Sequence, residues 1–145
     1  MPDSSELFQR HGERFLIMDF DHLFTATTLR DEIWLLTHGR GDAIAEAMQA
    51  GCARFGLPYA PERELDTFSG GERVMLAVVL TCAVLDEFRP EELEILLVNI
   101  LETLTPQNRE RVLGRFAETL VPLGGKIFTG VEPVAVQLGD ADVSA

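Results

Sequence analysis

Ser69, Gly70, Gly71 and Glu72 stand in succession at the head of a long apolar run in this 145-residue chain. Serine is a favoured N-cap because its hydroxyl accepts a hydrogen bond from a free backbone N–H of the first helical turn. The same hydroxyl can instead bond a phosphate oxygen. Glycines at the next two positions let an anion approach the backbone N–H groups closely, and the helix dipole adds partial positive charge there. The chemistry such a helix start suits is anion binding, above all binding of phosphate. The alternative is a plain capped helix with glycines in its first turn. Glycine costs about 1 kcal/mol against alanine inside a helix, so two in a row call for a reason.

Other clusters carry less chemistry. Asp19, Asp21 and His22 form a small polar group that reads as a solvated loop. Glu87, Glu91, Glu92 and Glu94 are a charge run of the kind that makes a solvated face. His11, His22 and His38 are scattered, and no metal site is expected at any of them. Cys52 and Cys82 lie in no CxxC and fall within apolar helical patterns, so both read as reduced residues in or near the core. No Ser/His/Asp, Cys/His or paired-carboxylate arrangement supports an enzyme of independent chemistry, and no catalytic residue is assigned.

The elements that would position the serine–glycine turn follow from pattern. Phe15 to Met18 suits a short buried strand. Thr27 or Thr28 can cap a helix over 29–36, with Asp31 and Glu32 in its dipole-favoured first turn. Gly39, Arg40 and Gly41 break that helix, and Asp42 is expected to cap a second over 43–55, before Pro58 and Pro61 mark a connector. Trp34 is expected to pack in or beside the core. Ser69 caps a third helix to about Leu85, 86–92 reads as a polar turn, and 93–98 reads as a fully buried strand. Thr105 caps a fourth helix with Pro106 at its first position, the favoured place for proline. Gly124 and Gly125 turn the chain into a strand at 126–129, and 134–138 suits a last helical turn. Strands alternating with helices predict an α/β fold with a parallel sheet.

Composition narrows the function classes. The length is that of one domain. A formal net charge of −12 repels phosphodiester backbones, which argues against a nucleic-acid binder. Residues 1–13 read as a polar tail without the basic n-region and apolar run of a secretory leader. The longest apolar run, 74–85, falls well short of the roughly 20 residues that span a bilayer, so a cytoplasmic location is expected.

Taken in order, several segments resemble the ABC-type ATPase family. Phe68 to Leu80 (FSGGERVMLAVVL) is similar to the family's signature motif and the helix behind it. Glu94 to Asn99 (EILLVN) resembles its Walker B strand, and Leu104 to Leu113 (LTPQNRERVL) its D-loop and following helix. Leu23 to Ile33 (LFTATTLRDEI) resembles the segment after the Q-loop in transporter-type cassettes. Lys126 to Pro133 (KIFTGVEP) lines up with the switch-histidine strand and loop. The segments run collinearly from about residue 14 to 143, which is more specific than any one of them. The resemblance implies a P-loop-NTPase-like three-layer α/β fold, here truncated. It would comprise one domain over 14–145, with a short parallel sheet and a helical subdomain at about 27–85. It also implies the strand order 15–19, 94–98, 126–129, with the outer edge of 126–129 left for the tail, a second copy or a partner to cover.

The departures from the family pattern bear on function. No GxxxxGK[ST] occurs in the chain. Asp19 stands at the Q-loop glutamine, and Val98, which cannot hold magnesium, at the Walker B aspartate. Asn99, which cannot take a proton from water, stands at the general-base glutamate. Thr105 stands at the D-loop aspartate, and Val131, with Glu132 beside it, at the switch histidine. Phosphoryl transfer needs a phosphate cradle, a metal anchor and a group that orients water. The resemblance therefore implies a non-catalytic protein that binds no cofactor alone. Its intact signature, Ser69, Gly70, Gly71 and Glu72, would meet ATP and magnesium held by the P-loop of a second subunit. That partner would be a complete ABC ATPase, with an indirect link to a membrane transporter. The competing expectation is a self-associating structural domain with no nucleotide role. The all-round apolar helix after Ser69 would favour association if part of its surface stayed unburied within the chain.

Overall fold

A computed structural model describes residues 15–129 and 134–136. The tail at 1–13, Val131 and Glu132 lie outside the described residues. Three parallel strands, β1 (Phe15–Asp19), β2 (Glu94–Val98) and β3 (Lys126–Thr129), lie side by side in that order. Four helices connect them: α1 (Leu29–Thr37), α2 (Ala45–Arg54) and α3 (Gly70–Phe88) between β1 and β2, and α4 (Pro106–Leu120) between β2 and β3. A fourth strand, β4 (Val134–Val136), runs antiparallel to β3 with Ile127 opposite Val136 and Thr129 opposite Val134. The fold is α/β with a short parallel sheet, and its strand order is the expected one.

β4 corrects the helical turn expected at 134–138. The unpaired N–H and C=O groups of β3 offer a ladder to any extended segment, and Val134 and Val136 are β-branched. The tail thus covers the outer edge of β3, one of the three covers expected for it.

Burial along β2 alternates instead of being complete. Ile95 and Leu97 are buried, whereas Leu96 and Val98 are half-buried. In register, Leu16 and Met18 on β1 and Ile127 on β3 share the buried face. The buried face of the sheet is thus the one that carries Ile95, Leu97 and their register partners.

Three of the four helices start at the caps expected of them. The Thr28 hydroxyl accepts from the Asp31 N–H at 3.3 Å, and α1 ends at His38 and Gly39, both at positive φ. Asp42 does not cap α2. It sits inside a separate 3-10 turn, Gly41–Ala43, and α2 starts after Ile44 with no side-chain cap. Thr105 caps α4 by accepting from the Asn108 N–H at 3.2 Å, with Pro106 at the first position as expected. α3 runs three residues beyond Leu85 and takes in Asp86 to Phe88, which the polar character of 86–92 had suggested was turn.

α3 is the centre of the core. Every residue from Val74 to Leu80 and from Cys82 to Leu85 is buried within this single chain, against α1, α2 and α4 and in one core cluster with Ile95, Leu97 and Ile127 of the sheet. Its apolar surface therefore needs no second molecule, and the argument for association from this helix falls. Both cysteines are fully buried thiols, as their pattern indicated. Trp34 departs from expectation: it is 61% exposed. The inward stripe of α1 is Leu29, Ile33 and Thr37 with Glu32, and one residue past Ile33 is a rotation of about 100°, which points Trp34 outward.

Candidate functional site

The turn into α3 is built from the bottom of its own preceding segment. Leu65 is buried, and its N–H donates to the Thr27 carbonyl at 2.8 Å, while Glu64 makes a bridge with Thr28. Arg63 lies over the Phe68 ring, 4.0 Å from its centroid, and donates to the Thr67 hydroxyl at 2.8 Å. Phe68 is itself buried. Residues 63–68 are thus pinned from both sides before the chain reaches Ser69.

Ser69 is the N-cap, and its hydroxyl accepts from the Glu72 N–H at 3.1 Å. The Glu72 carboxylate accepts in return from the Ser69 N–H at 2.9 Å, which completes a capping box. The box leaves two donors over. Among the described residues, the N–H groups of Gly70 and Gly71 have no hydrogen-bond partner. A Cβ added at Gly71 would meet no atom within 4 Å, so no contact among the described residues requires glycine there. A Cβ at Gly70 would come to 3.4 Å from the Phe20 ring. The first turn of α3 therefore lies against the segment that leaves β1.

Three of the other residues singled out in the sequence, Asp19, Val98 and Asn99, lie at the carboxyl end of the sheet. Asp19 ends β1 directly opposite Val98 in the ladder, and its carboxylate accepts from the Asp21 N–H at 3.0 Å. Val98 is half-buried, and Asn99 follows it exposed at φ 55°, a left-handed position that asparagine tolerates. The structure thus brings Asp19, Val98 and Asn99 together, with the Ser69–Glu72 turn close by through Phe20. Thr105 stands apart as the cap of α4, its hydroxyl engaged there. Val131 lies outside the described residues. Among the described residues no group of three His, Cys, Asp or Glu side chains could hold a metal ion.

Two residues gain a place at the site that the sequence did not assign. Glu32 is 5% exposed, and its carboxylate accepts from the N–H of Thr25 at 2.9 Å and of Ala26 at 2.7 Å, which holds the 23–27 loop. The side chain of Arg73, directly after the motif, makes no hydrogen bond or ion pair among the described residues, and its Nε is buried without an acceptor. Such an orphaned donor is uncommon and costs roughly 1–3 kcal/mol. The signal available in the sequence was only its adjacency to Glu72.

Compared with known proteins, the chain matches no family model and no curated protein sequence. Among the described residues no helix is long and apolar enough to cross a membrane.

Proposed function

We propose that this chain is a non-catalytic interaction protein of ABC ATPase type, with a P-loop-NTPase-like fold, acting in the cytoplasm. It presents the first turn of α3 to a nucleotide that a complete ATPase subunit holds. The observation that carries the reading is the pair of unpartnered N–H donors on Gly70 and Gly71, with open space where a Gly71 side chain would stand. Two N–H groups at the positive end of a 19-residue helix suit the oxygens of a phosphate. Magnesium and ATP would come with the partner, since the chain contains no GxxxxGK[ST] and carries Val98 and Asn99 where a metal anchor and a base would stand. Through that partner the chain would be tied indirectly to a membrane transporter.

A second reading is a structural domain, self-associating and without a nucleotide role. The closed capping box favours it, because the Ser69 hydroxyl and Glu72 carboxylate satisfy each other. Light scattering and calorimetry with Mg-ATP make the first test. The chain alone is expected to give no heat of ATP binding. Added to a complete cassette ATPase of the same cell, it should change ATP turnover, and Ser69→Arg should abolish that change. Micromolar ATP binding by the chain alone, or an unaltered effect of Ser69→Arg, refutes the in-trans role.

A further inference from the structure

Between the end of β1, the 23–27 loop and the first turns of α3 lies a half-open cleft of about 260 Å³. Its walls combine Phe20, Phe24 and Leu65 with three charged side chains, Asp21, Asp66 and Arg73. Opposite charges that share a cleft normally pair. Here none of the three makes a hydrogen bond or ion pair through its side chain among the described residues, and the Arg73 Nε is buried without an acceptor. Asp21 and Asp66 are exposed, whereas Arg73 is half-buried and Leu65 fully buried, so the carboxylates stand toward the rim and the cation and apolar surface deeper.

We propose that this cleft binds a small zwitterion, a free α-amino acid with an apolar side chain. Its carboxylate would take the Arg73 guanidinium, whose planar fork matches two carboxylate oxygens. Its ammonium group would lie at the Asp21 and Asp66 rim, and its side chain against Phe20, Phe24 and Leu65. A carboxylate at Arg73 draws the guanidinium into a hydrogen-bonded position and relieves the orphaned Nε. The two carboxylates make the cleft a poor host for a phosphate dianion, which would meet net negative walls. A volume just below the roughly 300–1,000 Å³ of drug-sized sites suits a ligand of this size. The 23–27 wall is held by Glu32, so the cleft is formed before any ligand arrives. This assignment does not rest on the nucleotide reading of the Gly70–Gly71 donors.

The test is amide-resolved NMR titration of the full chain with each apolar proteinogenic amino acid. Saturable shifts confined to residues around 20–27, 65–66 and 73 are expected for at least one of them. Its amide and its deaminated acid, each lacking one charge, should bind at least about tenfold more weakly. Arg73→Gln should remove binding and Asp66→Asn weaken it. Neither side chain holds the fold together, so both variants should keep the wild-type circular dichroism. No saturable binding by any amino acid overturns the proposal. So does binding that survives Arg73→Gln, or a stronger response to inorganic phosphate than to every amino acid.

Discussion

Gly51 and Gly71 predict opposite outcomes for the same substitution. Both lie in helices, and alanine in place of helical glycine contributes about 0.5–1 kcal/mol through backbone entropy alone. At Gly71 a Cβ meets nothing within 4 Å, so Gly71→Ala should realise that gain. At Gly51 a Cβ would stand 2.6 Å from Cγ1 of Val79, which is 2% exposed on α3. Valine has little freedom to turn aside, because its branched Cβ restricts χ1. Overpacking of this kind costs roughly 1–3 kcal/mol, so Gly51→Ala should lose on the order of 1–2 kcal/mol net. At this chain length 1 kcal/mol moves the melting temperature by roughly 3 °C. Urea unfolding followed by far-UV circular dichroism reads both variants, since the exposed Trp34 makes a weak reporter of the core. If Gly51→Ala is as stable as wild type, α2 and α3 do not approach as closely as described, and the reasoning about their contact is wrong. Gly71→Ala carries a further consequence: a more stable chain that serves the proposed partner less well, because the added methyl crowds the free N–H groups.

Removing the buried acceptor in Glu32→Ala should cost on the order of 3 kcal/mol and speed amide exchange at Thr25 and Ala26, whereas Glu32→Gln, which keeps one carbonyl oxygen, should cost about half that; equal effects would deny the carboxylate its role. Burial pushes the Cys82 thiol from its ordinary 9.0 up to about 12, so its folded form stays neutral where the unfolded chain ionises. Stability from this group is intact below pH 9 and falls as pH rises toward 12, and Cys82→Ala should flatten that decline in urea titrations across this range. The Arg54 guanidinium, bonded to Glu118 at 2.7 Å, holds that carboxyl below its ordinary value. Its contribution is present above the unfolded pKa and lost as pH falls through the folded one. Because the pair is half-exposed, Glu118→Gln should change acid stability only slightly, and less still in high salt.

What could be read from the sequence is what local chemistry decides. Thr28, Ser69 and Thr105 cap helices because a hydroxyl and an N–H three residues on need no distant partner. β1, β2 and β3 fall on runs of branched and aromatic residues. Asp42 shows the limit of that reasoning: it has a cap's chemistry, but the chain between Gly41 and Ile44 closes its own 3-10 hydrogen bond first. The helix after Ser69 was apolar on all sides, and no local rule tells whether a sheet, sister helices or a second molecule covers it. Only the packing of α2 and α4 against it answers that. The cleft was hidden for a related reason. Asp21 follows β1, Asp66 sits in the turn before α3, and Arg73 is in α3 itself; the Leu65–Thr27 hydrogen bond joins the two loops. A sequence gives three charges, but whether they neutralise one another depends on where that joint sets them. Here it sets them around common space and leaves them unpaired, which is why the recognition chemistry proposed for the cleft follows from geometry and could not have followed from the motif beside it.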